Sequence, residues 1–324
     1  MQDKQTAAHI LPSQPLVSFI ITTYNLPLSM LQECIESITK LSLNARDREI
    51  ILIDDGTDVS QINEMHHERD EIIYLRQRNQ GLSAARNMGL RVASGKYVQF
   101  IDGDDMVLTA PYEHCLDIAR YHEPDLVSFN ATNHKNVATP MTFEGPMTGA
   151  KFMRDNNIKA SACSYLFKKT ILSDLRFAPG LLHEDEEFTP QLILRAERLF
   201  TTDADAYYYR KREGSIMTNN SQEHRQRRLS DTLRILLHLQ ELSATLPELD
   251  RLAMNRRIAQ LSMDFLYNTI KLTHSRKQLL ENIELLRKHG LYPLPDRNYT
   301  RKYSLFRRAI DSRLGRMLLL TMIK

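Results

Sequence analysis

The first 130 residues repeat one pattern: a short, continuous apolar run rich in β-branched residues, then a stretch with helical spacing, then another apolar run. Val17-Ser-Phe-Ile-Ile-Thr22, Glu49-Ile-Ile-Leu-Ile53, Ile72-Ile-Tyr-Leu75, Lys96-Tyr-Val-Gln-Phe-Ile101 and Leu126-Val-Ser-Phe129 are the apolar runs. Leu28, Leu31, Ile35 and Ile38 recur at helical spacing, and Leu82 to Ala93 fits a helix ended by Ser94-Gly95. A strand that is apolar on both sides has to be covered on both sides. The pattern therefore predicts an α/β fold with a mostly parallel central sheet and flanking helices. Such sheets bind ligands beyond the carboxyl ends of their strands. The residues that follow each run are where chemistry is expected.

Beyond residue 130 the signals are less regular. Lys135 to Thr148, with Pro140, Gly145 and Pro146, reads as a loop or flap. Cys163 to Lys168 fits a strand, Phe188, Leu192, Ala196 and Leu199 a helix, and Ala206-Tyr-Tyr-Tyr209 a strand. After about Asn220 the character changes to long helical patterns, Leu229 to Leu246 and Leu252 to Leu272. The charge changes there too: residues 1–220 carry a net charge of −7 and residues 221–324 a net charge of +10. The two parts are expected to face different partners. The three cysteines, Cys34, Cys115 and Cys163, form no CxxC pair and read as buried small hydrophobes in a reducing compartment. Residues 1–14 form a polar tail without a secretory pattern, and no run approaches the ~18 apolar residues of a membrane span. A cytoplasmic location is the expectation.

Four motifs stand at or near predicted strand or helix ends. In Thr22-Thr-Tyr-Asn25, the tyrosine offers a face for stacking a base, although an ordinary β–α turn uses the same residues. Asp54-Asp55-Gly56-Thr57 offers two acceptors for a base or ribose, and is equally the chemistry of a solvated turn with a helix cap. Asp102-Gly-Asp104-Asp105 is more specific. Residues i and i+2 of an extended chain point the same way, so Asp102 and Asp104 can present two carboxylates to one hard cation. Mg²⁺ or Mn²⁺ held by one or two carboxylates and substrate phosphates is a standard arrangement. Three acids beside an apolar strand also repel one another, which a cation or hydrogen-bond donors must offset. In His183-Glu-Asp-Glu-Glu-Phe188 the acids suit the first turn of a helix, or supply a general base. Gly89 to Lys96 is no P-loop, because five residues separate Gly89 from Gly95 and Tyr97 stands where Ser or Thr is needed.

Together the motifs resemble those of the family 2 glycosyltransferases, which have the GT-A fold. The resemblance runs over about residues 15–217 and takes in Asn79-Gln-Gly-Leu-Ser-Ala-Ala-Arg-Asn-Met-Gly89, Gly95-Lys-Tyr97 and Glu184-Asp185 in order. It implies a nucleotide-sugar-binding and catalytic domain over 15–220 and a basic helical C-terminal region over 221–324. It further implies that Thr22, Tyr24 and Asp55, with Asp54 as neighbour, hold the nucleotide base, and that Asn79, Gly81 and Arg86 line the nucleotide pocket. Asp102 would reach the ribose or the metal's water shell, Asp104 would bind Mn²⁺ or Mg²⁺, and Asp185 would be the base of an inverting displacement. Asp105, Glu184, Arg210 and Arg212 are supporting candidates, the two arginines facing the diphosphate or a solvated strand end. Thr57 stands where the family often has Ser, and Tyr207 to Met217 has no His where some members carry a further metal ligand.

The implied donor is a nucleotide-diphosphate sugar, UDP-linked by family resemblance. The acceptor is a hydroxyl of a saccharide or lipid-linked saccharide, in cell-surface polysaccharide or glycolipid synthesis. The competing readings are an inactive sugar-nucleotide-binding or scaffold protein and a metal-dependent nucleotidyltransferase. Residues 301–320, where Arg301, Lys302, Arg307, Arg308, Arg313 and Arg316 punctuate Leu305, Phe306, Ile310, Leu314, Met317 and Leu318, read as one basic amphipathic helix. It suits the surface of an anionic membrane, or docking on the chain's own domain. Nucleic acid is not expected as a partner, for want of a recognised module or interleaved aromatics.

Overall fold

The computed structural model describes residues 14–60, 62–65, 71–135, 140–211 and 221–323. The strands are β1 (Val17–Thr23), β2 (Arg48–Asp54), β3 (Ile72–Arg76), β4 (Tyr97–Asp102), β5 (Met106–Val107), β6 (Leu126–Thr132), β7 (Phe143–Met147), β8 (Tyr165–Lys168) and β9 (Leu199–Tyr208). The helices are α1 (Leu28–Thr39), α2 (Leu82–Val92), α3 (Thr109–His122), α4 (Gly149–Asp155), α5 (Asp185–Leu194), α6 (Gln222–Thr245), α7 (Glu248–Thr273), α8 (Arg276–Lys288), α9 (Arg301–Asp311) and α10 (Arg313–Met322).

The sheet runs in the order β3-β2-β1-β4-β8-β6-β9-β5. Its first four strands are parallel, and β1 is buried along its whole length, as the continuous apolar run requires. Beyond β4 the sheet becomes mixed: β8 runs antiparallel to both β4 and β6, and β5 antiparallel to β9. The loop expected over 135–148 ends in a strand instead, because β7 pairs with β9. Only edge pairing tolerates its Pro146, which has no N–H to give a ladder.

Two compact units divide the chain. Unit 1 comprises 1–144, 163–173 and 201–210 and carries the parallel strands. Unit 2 comprises 145–162, 174–200 and 211–324, so Gly145–Ala162 and Asp174–Phe200 cluster with the C-terminal helices. The core of unit 2 gathers one face of each long helix: Ile235, Leu236 and Leu239 of α6, Met254, Ile258, Phe265 and Leu266 of α7, Leu279, Ile283 and Leu286 of α8, and Tyr303, Phe306 and Ile310 of α9. Ser or Thr caps open α6, α8, α9 and α10, each accepting from the backbone N–H three residues on. The expected single helix over 301–320 is thus two. Ser312 ends α9 and caps α10, accepting from Gly315 N at 2.9 Å.

Gly89 shows how closely α2 lies on β1. A Cβ there would stand 2.3 Å from Cγ2 of Ile20, a fully buried side chain. Gly89→Val is expected to lower stability by about 1–3 kcal/mol in urea unfolding, the cost of overpacking a closed core. Parental stability would show that α2 does not lie against β1 at this distance.

Candidate functional site

Parallel pairing lines up the strand-end motifs of unit 1. Thr22 of β1 pairs in register with Asp102 of β4 and Ile53 of β2, and Thr23 with Asp54. Asp54 in turn stands opposite Arg76 of β3. Four carboxyl ends therefore meet along one edge. The chain leaves β4 through Gly103, whose N–H donates to Thr22 O at 2.9 Å.

Asp54 and Asp55 are both buried, and the structure gives each a set of bonds inside the protein. Asp54 accepts from Thr57 N at 2.7 Å and from the Tyr74 hydroxyl at 2.7 Å, and pairs with Arg76 Nε at 3.4 Å. Asp55 accepts from Gln77 Nε2 at 2.7 Å, Gln80 N at 2.9 Å and Gly81 N at 2.8 Å. Its carboxylate thereby shapes the segment that carries Asn79 and Gly81. Gly56 lets that segment approach: its φ is +86°, and a Cβ there would lie 2.7 Å from Asn79 N. Gly56, Arg76, Gln77, Arg78 and Asn79 line an open cavity of about 480 Å³. Tyr24 is 48% exposed, and its neighbour Asn25 is locked to the next loop by mutual bonds with Asp58.

The three acids after β4 are held in three different ways. Asp102 Oδ1 pairs with Arg86 Nη2 at 3.1 Å, and Arg86 is itself 2% exposed and within 5.8 Å of the Phe100 ring. Asp105 is 1% exposed; it accepts from the Tyr207 hydroxyl at 2.7 Å and from Arg210 N at 2.8 Å. Asp104 is partly exposed, and its main-chain carbonyl accepts from Arg210 Nε at 2.9 Å. Arg210 then pairs with Glu33 of α1 at 2.6 Å, tying the acidic loop to that helix. Burial, and then the charge of Asp102, pushes the Asp105 carboxyl up to about 7, against the pull of Arg210 and Tyr207.

This donor set fits a divalent cation of a particular kind. Among the described residues no group of three or more His, Cys, Asp or Glu forms a ready cage. One or two carboxylates, with the rest of the shell from phosphates and water, is what Mg²⁺ or Mn²⁺ accepts.

Glu184 and Asp185 belong to unit 2, where Asp185 opens α5 and Glu184 is its cap residue. Three acids in the first turn of α5 suit its macrodipole. The loop before them is anchored to α6. Asp231 accepts from Leu182 N at 3.0 Å, Arg227 donates to Gly180 O at 2.9 Å, and Arg228 Nε donates to His183 Nε2 at 3.2 Å. Burial, and then Arg228, holds the His183 imidazole below its ordinary pKa, which keeps that nitrogen an acceptor. Glu186 pairs with Arg257 of α7, and Glu187 with His238 of α6 at 2.9 Å.

Of the residues singled out in sequence, Thr22, Tyr24, Asp54, Asp55, Asn79, Gly81, Arg86, Asp102, Asp104, Asp105 and Arg210 all lie in unit 1. Arg212 lies outside the described residues. Arg210 is neither a solvated strand end nor turned wholly to a ligand, since its bonds close on Asp104, Asp105 and Glu33. Sequence reasoning missed Tyr207 and the pair Arg76 and Arg78. The arginines had a signal, because Arg76 ends the strand Ile72–Arg76 and Arg78 stands just beyond it. Tyr207 had none, standing about a hundred positions from its partners.

Comparison with known proteins agrees with this architecture. The model of the Glycosyl transferase family 2 matches residues 18–171. The glycosyltransferase GlyG of Streptococcus pneumoniae is 30% identical over 224 residues, covering 62% of this chain and 73% of GlyG. The uncharacterized glycosyltransferase EpsJ of Bacillus subtilis is 30% identical over 62% of this chain and 63% of its own length. The minor teichoic acid biosynthesis protein GgaB of the same organism is 29% identical over 60% of this chain and 23% of its own. The chain thus spans less than two thirds of those two Bacillus relatives. Among solved structures, S. aureus TarS 1-349 in complex with UDP-GlcNAc has a TM-score of 0.61 at 19% identity, covering 85% of this chain and 92% of that one. The mannosyltransferase PcManGT from Pyrobaculum calidifontis, in complex with GDP-Man and Mn²⁺, has a TM-score of 0.56 at 14% identity over 96% of this chain and 88% of its own. The sheet, its flanking helices and the strand-end acids define a protein of the GT-A class. More narrowly, the chain belongs to the family 2 glycosyltransferases.

Tyr207→Phe removes the hydroxyl that donates to Asp105 and accepts from Asp102 N. It is expected to lower stability by about 1–3 kcal/mol in chemical unfolding, because a buried carboxylate loses a donor. Tyr208→Phe, one position on, is expected to cost well under half as much. Equal effects would mean that the Tyr207 hydroxyl does not hold the acidic loop.

Proposed function

We propose that this protein is an inverting glycosyltransferase that moves a sugar from a nucleotide-diphosphate sugar, UDP-linked, to a hydroxyl of a saccharide or lipid-linked saccharide acceptor. The observation that carries the reading is the common strand edge of unit 1, where Thr22 stands in register with Asp102 and Thr23 with Asp54, and where Arg76, the partner of Asp54, lines the Gly56–Asn79 cavity. Its cationic side, Arg76 and Arg78, suits a phosphorylated ligand, and exposed Tyr24 offers a face for a base. The teichoic-acid function in the name of GgaB, a relative by sequence, favours a role in surface polysaccharide synthesis.

In this reading Asn79, Gly81 and the loop that Asp55 shapes receive the nucleotide, and Arg86 orients Asp102 toward the ribose side of the donor. Asp104, with Asp102, would hold Mn²⁺ or Mg²⁺. Such a cation, when bound, would supply positive charge to the departing diphosphate. Asp105, Tyr207 and Arg210 keep the acidic loop in place. Asp185 accepts the proton of the acceptor hydroxyl as its oxygen bonds the anomeric carbon, while the bond from that carbon to the diphosphate oxygen breaks. One base and no nucleophile correspond to a single displacement, hence inversion, by the geometry that governs glycoside hydrolysis. Glu184 supports the start of α5, where Asp185 stands.

A panel of UDP-, GDP- and other nucleotide sugars, assayed for binding and slow hydrolysis with and without Mn²⁺, tests this directly. Metal-dependent binding of at least one member is expected, and indifference to every nucleotide sugar and to metal overturns the reading. Asp104→Asn is expected to abolish transfer and metal-dependent binding. Asp185→Asn is expected to retain donor binding while transfer falls about 10²- to 10⁴-fold, the usual loss of a general base. Normal turnover by either variant excludes the assigned role.

A further inference from the structure

We infer that α9 and α10 of unit 2 form a docking surface for an anionic phospholipid membrane. The two helices divide their apolar residues between two faces. Tyr303, Phe306 and Ile310 of α9 are buried in the core of unit 2, and Leu319, Leu320 and Ile323 pack against that core from α10 and the residue that follows it. This anchors both helices. The opposite side of α10 carries Leu314, Met317, Leu318 and Met322, which are 71%, 58%, 56% and 76% exposed. At 100° per residue these four fall within one arc of about 140°, together with the exposed Thr321. Leu305 of α9, 58% exposed, has Arg301 one turn before it and Arg308 one turn after it.

Charge selects the occupant. Residues 301–322 hold six Lys and Arg against one acid, Asp311. Three of the six are used within the fold: Arg307 pairs with Asp296, Arg316 donates to the Ile310 carbonyl at 2.8 Å, and Lys302 stands over the Tyr267 ring at 4.7 Å. Arg301, Arg308 and Arg313 are exposed on the same two helices as the apolar residues. A surface that joins bulky exposed apolar side chains to cations suits the boundary of an anionic bilayer, where acyl chains take the first and headgroup phosphates the second. A second copy of the same surface would set like charges against each other. The α10 helix has ten residues, about 15 Å, and a membrane's apolar core is about 30 Å thick. No helix among the described residues is long and apolar enough to cross one. The pair lies on the surface, with its arc turned into it.

None of these residues has a part in the proposed transfer chemistry, so the test needs no turnover. The full chain is sedimented with vesicles of phosphatidylglycerol and phosphatidylcholine, and with vesicles of phosphatidylcholine alone. Binding is expected to the anionic vesicles only, and to weaken as salt is raised from 0.1 to 0.5 M, since the Debye length shrinks. Leu318→Glu and Met317→Glu change exposed side chains and are expected to keep parental circular dichroism while binding falls at least about tenfold. Arg308→Glu is expected to reduce binding and flatten its salt dependence. Equal binding to both vesicles, no binding to either, or parental binding by Leu318→Glu overturns the inference. So does a dimer in sedimentation equilibrium that Leu318→Glu dissociates, since the arc would then belong to a second copy.

Discussion

Three carboxylates within four residues, at the end of a buried strand, create the problem that the rest of unit 1 is built around. Each has to be kept charged, or kept in place, against the other two. The structure separates their surroundings. Asp102 meets the buried Arg86, Asp105 turns inward to Tyr207 and Arg210, and Asp104 remains partly exposed at the turn. The residual strain is electrostatic, and it shows in the Asp105 carboxyl being raised to about 7 by burial and by its neighbours.

The parallel pairing of β1 with β2 and β4 does the corresponding work for geometry. A slip of one residue would exchange the two faces of a strand and the packing partners of every side chain on it. Thr22 with Asp102, and Thr23 with Asp54, are therefore aligned by the same pairing that stabilises the strands. The polar residues inherit their alignment from the apolar ones. Unit 2 uses a different means. The loop preceding Asp185 is fixed by side chains of α6, with Asp231, Arg227 and Arg228 each binding one of its residues. The C-terminal helices thus belong to the support of a motif that lies some forty residues earlier in the chain.

Strands β1 to β4, α1 and α2 were legible in the sequence to within a residue or two, because each is a local pattern of burial that a single segment displays. The candidate residues at their ends were legible for the same reason, since strand ends are where such a sheet exposes polar groups. The antiparallel half of the sheet was harder to read. β8 lies within the strand expected over Cys163 to Lys168, but β5 is two residues long, too short for a period, and the direction of both depends on partners far along the chain. The strand within the expected 135–148 loop was hidden by Pro146, which argues against a strand everywhere except at an edge. The single helix expected over 301–320 concealed a break, because Asp311-Ser312 interrupts neither the apolar spacing nor the run of positive charge.

The amino-acid order alone established an α/β chain, the succession of its strand-end motifs and the concentration of positive charge in its last third. Those properties are local, written in neighbouring side chains and in composition. Tertiary contact assigned the individual acids. Asp54 and Asp55 turned out to brace loops, Asp105 to be bound internally, and Arg210 to clasp two elements. It also turned one apolar arc of α10 outward while burying the other side. These outcomes depend on pairs such as Tyr207 with Asp105 and Arg210 with Glu33, which lie 102 and 177 positions apart and leave no trace in any local pattern.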